Sequence, residues 1–224
     1  MGVQQVYSQS YPSNSAPIEK PNSYFIMKRI VDITVSLALL ILFAPLMIGI
    51  SWILHKKESG PAIIKQMRMG KNKRPFMMYA FSTTTPASKV IYAFPPYQFT
   101  ASWSGGVPNE LELEQNRCLL TKTGKKLKKY HLDKLPQLWN VLKGDMSLVG
   151  PSPEYPDIAS HYNDYQAYRL KVKPGITGYA QIHGISNKQH DKKIRFDLFY
   201  ISNCSGRLDT KIVFRTFFSR KKQV

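Results

Sequence analysis

The sequence predicts an α/β fold, a small cytosolic domain of helices with short strands, anchored by one N-terminal membrane-embedded helix and by interfacial amphipathic helices. Three observations carry this expectation. Residues 33–54 form an uncharged run of 22 residues. Two short apolar stretches bounded by Gly and Pro follow it, and from Thr121 onward the chain turns to helical patterning. The expected division is a disordered tail over 1–23, a membrane segment over 24–57 and a cytosolic domain over 58–224.

The tail is rich in Ser, Gln, Pro and Tyr and has almost no apolar periodicity. Such a segment cannot bury enough surface to offset its conformational entropy. Val6 stands where an acylated N-terminus wants Ser or Thr, so Gly2 is not expected to be myristoylated. A straight helix over 33–54 would extend about 33 Å, close to the thickness of a bilayer core, and it lacks the polar face of a soluble core helix. Lys28 and Arg29 precede the run, and Lys56 and Lys57 follow it. Positive charge ordinarily marks the cytoplasmic side, so basic residues on both flanks fit a helix that enters and leaves by the same leaflet. Pro45 removes a backbone donor in the middle of the run and predicts a kink. A tilted spanning helix also tolerates proline, and on these residues both forms stay open.

Residues 62–66 and 76–81 read as strands, with turns at Gly60-Pro61 and over 70–75. Residues 82–117 lack periodicity and read as a long loop. Lys125, Lys126, Lys128 and Lys129 surround Leu127 on a basic helix, either a solvated face or a contact for lipid phosphates. A second helix is expected from Asp133, its N-cap, through Leu135, Leu138, Val141 and Leu142 to Lys143-Gly144, with Pro136 in its first turn. Gly150-Pro151-Ser152-Pro153 is too rigid for helix or strand. Pro174-Gly175 stands at the central positions of a type II turn. In the last segment Arg207, Lys211, Arg215 and Lys222 form one stripe, while Leu208, Ile212, Val213 and Phe217 occupy much of the rest. That suits a helix lying in the headgroup layer or one docked on the protein's own core.

Lys and Arg number 32 against 14 acidic residues, a formal charge of +18, which attracts anionic partners. No aromatic residues interleave with the basic runs in the manner of a nucleic-acid platform, and the membrane segment gives the charge a simpler role. Nucleic acid is therefore not an expected partner. Cys118 and Cys204 show no metal spacing and are expected to be reduced thiols.

Five phrases, KRIVDITVSLALLILFAPL, GPAIIKQMRMGKNKRPF, LDKLPQLWNVLKGDMSLVGPSPE, RLKVKPGITGYAQIHG and FDLFYI…LDTKI, occur in this order over roughly residues 27–216. Together they resemble the bacterial sugar transferases, the monotopic phosphoglycosyl transferases of undecaprenyl-phosphate type. The resemblance implies a re-entrant helix broken at Ala44-Pro45. It also implies transfer of a phosphosugar from a UDP-sugar to polyprenyl phosphate in the first membrane step of exopolysaccharide, capsule or glycan synthesis, with release of UMP and help from Mg2+. The expected partners are membrane lipid, polyprenyl phosphate and a nucleotide sugar. The expected location is the cytoplasmic membrane, with the domain facing the cytoplasm. Asp133 stands at the nucleophile of the family's Asp-Glu dyad and is the candidate metal ligand. A helix N-terminus would keep it ionised and favour a phosphate beside it. Arg68, Ser152, Lys173 and Thr177 stand in the motifs expected to meet substrate.

The chain departs from the family at charged positions. Lys134 replaces the dyad's Glu. Ala80 and Ser82 stand where two basic residues are usual, and Ser152 and Ile185 each stand where the family has arginine. Scaffold positions such as Gly70, Pro136, Gly144, Pro151, Pro174 and Gly178 remain. Asp145, Asp197 and Asp209 match family aspartates and are expected to cap or pair. Two readings follow. One is a working transferase with a rearranged site, in which Lys134 pairs with donor phosphate or His131 acts as a base. The other is an inactive member of the family that partners or regulates an active paralogue.

Overall fold

The computed structural model describes residues 21–57, 60–84, 106–107, 120–185 and 189–218. Most of the predicted tail, most of the 82–117 loop, Cys118 and Lys222 lie outside the described residues. The first helix, α1 (Asn22–Lys57), has 36 residues and runs without interruption through Ala44 and Pro45. It therefore begins inside the predicted tail and shows no break at the implied position. It is long and apolar enough to cross a membrane by length and composition. Its buried residues are Asp32 and Ser36 towards one end and Ile50 and Leu54 towards the other. Between them Ile41, Leu42 and Ile48 are about two-thirds exposed, at 68%, 67% and 71%.

Helix dominates the rest of the chain, and the strands form two separate pairs. Strand β1 (Ile63–Met69) pairs antiparallel with β2 (Pro75–Phe81), in register from Ile63 opposite Phe81 to Met69 opposite Pro75. The predicted turn closes with Gly70 N–H donating to the Arg74 carbonyl at 2.9 Å. Asn72 and Lys73 adopt left-handed conformations within it. Helices α2 (Lys122–Lys129) and α3 (Gln137–Lys143) follow. Lys125, Lys126, Lys128 and Lys129 of α2 are exposed while Leu127 is buried, as the pattern required. Gly144 ends α3 in the left-handed region at φ 93°, the conformation that glycine reaches without a Cβ penalty.

Strand β3 (Ser147–Val149) runs parallel to β4 (Gly175–Thr177). Pro174-Gly175 is thus not a type II turn. That turn needs positive φ at its second central residue, and Gly175 is absent from the positive-φ residues and opens a strand instead. Glycine is required there by proximity, since a Cβ would meet the Gly150 backbone nitrogen at 2.1 Å. Gly175→Ala is expected to cost roughly 1–3 kcal/mol or more through this overpacking, read as a lowered unfolding midpoint. A cost under about 0.5 kcal/mol would contradict the strand contact.

Short helices α4 (Pro156–Ser160), α5 (Asp164–Ala167) and α6 (Tyr179–Ile182) lead to α7 (His190–Asn203) and α8 (Gly206–Phe218). The main core gathers Val149, Ile158, Ile194, Phe196, Leu198, Tyr200 and Ile212. Ile212 is fully buried, and Leu208 and Val213 pack on this core. The apolar side of α8 is thus covered by the domain itself, which corrects the headgroup-layer expectation for that face. Phe214 is left exposed. The side chain of Phe217 lies outside the described residues.

Inside this core sits a buried polar network. Arg169 pairs with Glu154 and with Asp197, both at 2.7 Å, and Lys193 reaches Glu154 at 2.9 Å. Tyr162 donates to Glu154 at 3.2 Å. The Arg169 guanidinium also donates to the Ser152 carbonyl at 2.9 Å. Two acids and two bases balance, which is how buried charge is tolerated. Burial would push the Glu154 carboxyl up, but Lys193 and Arg169 hold it well below the usual carboxylate range.

His190 is fully buried beside this network, and neither ring nitrogen has a hydrogen-bond partner. Burial pushes its pKa down to about 3. The unfolded chain binds the proton near pH 6.5 and the folded chain does not. Stability is therefore expected to fall as pH drops from about 6.5 towards 3, by up to several kcal/mol. His190→Phe should flatten that slope in pH-dependent denaturation, and an unchanged slope would contradict a neutral buried imidazole.

Candidate active site

The region around Asp133 is assembled by three local constraints. First, Thr121 caps α2 by accepting from Gly124 N–H at 2.8 Å, and its own N–H donates to the Thr83 carbonyl at 3.1 Å. This ties the start of α2 to the exit of β2. Second, His131 takes the left-handed conformation at φ 56° and ends the helix. Non-glycine residues adopt it uncommonly, with His among the enriched exceptions. Third, Leu132 and Leu135 pack against a small cluster of Ile50, Leu54, Phe81 and Leu127. The intervening Leu132–Lys134 forms a single 3-10 turn.

Asp133 is therefore not the N-cap of α3. Pro136 occupies the cap position and makes no side-chain cap bond. The reason is steric and local. The left-handed His131 followed by a tight turn uses Asp133 before the helix starts, and Asp133 accepts no capping bond. Instead its Oδ1 is buried with no hydrogen-bond partner. Such a group costs on the order of 1–3 kcal/mol, and buried unsatisfied polar atoms are uncommon enough to need a reason. Burial pushes the Asp133 pKa up, while Lys134, Lys128 and His131 pull the other way. Burial lowers the pKa of Lys134, against the influence of Asp133. Burial followed by Lys134 lowers that of His131.

Lys134 donates to the Ile176 carbonyl at 3.2 Å, which brings the dyad beside β4. Thr177, the next residue, shares a 2.6 Å hydroxyl contact with Thr216 of α8. Ser152 accepts from the Gln181 amide at 2.9 Å. Arg68 stacks over Tyr155 at 3.5 Å and donates to Gln66 at 2.9 Å. No hydrogen bond or ion pair links Arg68 or Ser152 to Asp133 among the described residues. Lys173 lies apart, in a cavity beside the start of α1.

Two of the replaced positions are knitted into the framework. Ile185 packs on the main core, and Ser152 is held by Gln181 and Arg169. Asp197 and Asp209 pair, as expected. Asp197 meets Arg169, and Asp209 meets Lys28 at 2.6 Å, Tyr24 at 2.9 Å and Tyr200 at 2.7 Å. Asp145 pairs with Lys143 at 3.3 Å. Sequence reasoning missed Glu154, Arg169, Lys193 and His190, because a balanced buried network leaves no periodic signal. It also missed Asp32, whose carboxylate accepts Leu148 N–H at 3.1 Å. A lone acid three residues after the Lys28-Arg29 pair, near the start of a long apolar helix, was the available clue.

A protein-held Mg2+ would need several oxygen ligands gathered at Asp133. No group of three or more His, Cys, Asp and Glu gathers among the described residues. Asp133 offers one carboxylate beside an ammonium group, whereas Mg2+ wants hard oxygen ligands in octahedral array. Among the described residues, this donor set does not fit a resident magnesium ion.

Comparison with known proteins agrees with the motifs. The uncharacterized sugar transferase EpsL of Bacillus subtilis is 38% identical over 188 residues, covering 84% of this chain and 84% of the relative. An undecaprenyl-phosphate galactose phosphotransferase of Salmonella typhimurium is 37% identical over 203 residues, covering 89% of this chain. A UDP-glucose:undecaprenyl-phosphate glucose-1-phosphate transferase of Klebsiella pneumoniae is 37% identical over 221 residues, covering 92%. The chain spans only 41% and 42% of the length of the latter two. The bacterial sugar transferase pattern matches residues 23–223, and the chain belongs to the bacterial sugar transferase family.

Proposed function

We propose that this chain is a membrane-bound phosphoglycosyl transferase that moves a phosphosugar from a UDP-sugar to undecaprenyl phosphate. The observation that carries this reading is the buried, unpartnered Oδ1 of Asp133, framed by Lys134, Lys128 and His131. A carboxylate oxygen without a hydrogen-bond partner is available as a nucleophile. In the reaction its oxygen bonds to the phosphorus next to the sugar, and the bond from that phosphorus to UMP breaks. The phosphate of the lipid acceptor then attacks the same phosphorus and releases Asp133. Repulsion between carboxylate and phosphate requires neutralising charge, and Lys134 and Lys128 supply it here.

The helix α1 supports a re-entrant arrangement on one membrane face. Towards its start, Lys28 pairs with Asp209 and Arg29 donates to the Val141 and Leu142 carbonyls. Towards its end, Ile50 and Leu54 pack on Phe81 and Leu127. Both ends thus hold the same domain, while exposed apolar residues run along the helix from Ile26 to Ile53. A span crossing to the far leaflet would carry one end away from it. The cytoplasmic face, where nucleotide sugars reside, is the side this reading assigns.

A second reading, an inactive relative that partners an active paralogue, is favoured by one observation. Lys134 is tied to Ile176, and the replaced positions 152 and 185 serve the framework. The deciding experiment is UMP release by the purified chain in nanodiscs, with undecaprenyl phosphate, a panel of UDP-sugars, and Mg2+ present or absent. Release that requires the lipid supports the transferase. No release from any donor, with an Asp-Glu relative active alongside, supports the inactive reading.

A further inference from the structure

A cavity of about 80 Å³ lies against the first turns of α1, lined by Tyr24, Lys28, Arg29, Asp32, Lys71 and Lys173 among others. None of Asp133, Lys134, Arg68, Ser152 or Thr177 lines it. Four cations face one lining carboxylate, and they differ in how far they are committed. Lys28 is neutralised by Asp209. Arg29 donates to the Val141 and Leu142 carbonyls, which are neutral, so its charge is not cancelled. Lys71 lies over the Phe25 ring at 5.7 Å. Lys173 makes no hydrogen bond or ion pair among the described residues. Asp32 already accepts Leu148 N–H, and Asp145, further out, pairs with Lys143.

The cations converge. The Arg29 Nη2 and Lys173 Nζ atoms lie 3.2 and 3.4 Å from the point where a Cβ on Gly144 would stand. Like charges brought so close repel unless an anion lies between them. Burial, then Arg29, lowers the Lys173 pKa, and Asp32 and Asp145 do not fully offset them. After Lys28 is set against Asp209, three cations remain against Asp32. The surplus suits a phosphate, which takes several charge-assisted donors at once.

The location narrows the source. Lys28 and Arg29 stand five and four residues before Ile33, where the uncharged run begins. Basic groups at that depth meet lipid headgroups. We propose that this cavity is a phosphate-binding site, separate from the Asp133 site, that takes the phosphate of an anionic lipid headgroup. It does not depend on the transferase reading, and it gives Lys173 a role other than donor binding.

The test is native mass spectrometry of the full chain released from neutral detergent. The probes are dioctanoyl phosphatidic acid and inorganic phosphate, with dioctanoyl phosphatidylcholine as control. The expected result is one phosphatidic acid adduct, weakened at least about tenfold, or about 1.4 kcal/mol, in the Lys71→Gln/Lys173→Gln double variant. Lys125→Gln/Lys126→Gln, on the exposed basic helix α2, should leave it unchanged. Inorganic phosphate bound with the same sensitivity, but no phosphatidic acid, would keep the phosphate site and overturn the lipid source. No adduct of either probe with the unaltered chain would overturn the proposal regardless of how the variants fold. Adducts lost in the α2 variant but kept in the Lys71/Lys173 variant would overturn it as well.

Discussion

Arg169→Ala is expected to lower stability by about 3–5 kcal/mol, the cost of removing one partner from a buried ion pair. Arg169 is 1% exposed and pairs with two carboxylates that are themselves 3% and 1% exposed. Its loss leaves Glu154 and Asp197 facing Lys193 alone, where neither carboxylate reaches the surface. A domain has only about 5–15 kcal/mol to lose, so much of the variant should fail to accumulate folded. Arg169→Lys should recover part of the loss, because an ammonium group restores charge but not the planar fork that holds Glu154, Asp197 and the Ser152 carbonyl together. Urea denaturation in detergent, followed by circular dichroism, measures the difference. A cost below about 1 kcal/mol for the alanine variant would show that the network does not hold this core together. The same network fixes Ser152 and Glu154, and the Glu154 carbonyl accepts Met69 N–H at 2.8 Å. It therefore joins the rigid Gly150–Pro153 segment to the β1–β2 hairpin.

Asp133→Asn is expected to reduce lipid-dependent UMP release by at least about 1,000-fold, the scale on which loss of a nucleophile reads. The isosteric amide keeps the volume and removes the anion, so the variant should melt within about 1 kcal/mol of the unaltered chain. Equal release from both forms would remove Asp133 from the chemistry. The pH profile gives an independent check. Burial raises the Asp133 pKa against the pull of Lys134 and Lys128, so the anion is lost on acidification sooner than for an ordinary carboxylate. Burial lowers the Lys134 pKa, so its positive charge is lost on alkalinisation sooner than for an ordinary lysine. The two limbs of the profile should therefore lie closer together than in a site of exposed groups. Lys134→Met should move the acid limb upward, because it removes the largest influence that favours the Asp133 anion.

Much of the architecture was legible because it is written in local patterns. The uncharged run placed the long apolar helix, whose length and composition are those a bilayer core demands. The turn over residues 70–75 and the Gly144 stop were read from residue types that only certain backbone angles accept. The motif order placed the family, and with it Asp133 and Lys134 as neighbours of interest. Local pattern failed where two segments distant in the chain meet. Pro174-Gly175 looks like a turn dipeptide, and only the contact with Gly150 makes it the start of a strand. Asp133 looks like a helix cap, and only the left-handed His131 together with the Leu132 and Leu135 anchors shifts it into the preceding turn.

By itself, then, the sequence determined the long apolar helix, the order of the elements, the family and the identity of the altered positions, because each depends on residue type and spacing along the chain. Tertiary structure alone decided which charges meet. It gathered Glu154, Arg169, Lys193 and Asp197 into one buried group, left an Asp133 oxygen without a partner, and carried Lys173 away from the dyad to face Arg29. Electrostatic energy depends on distance and burial in space, and neither is fixed until segments far apart in the chain have packed together.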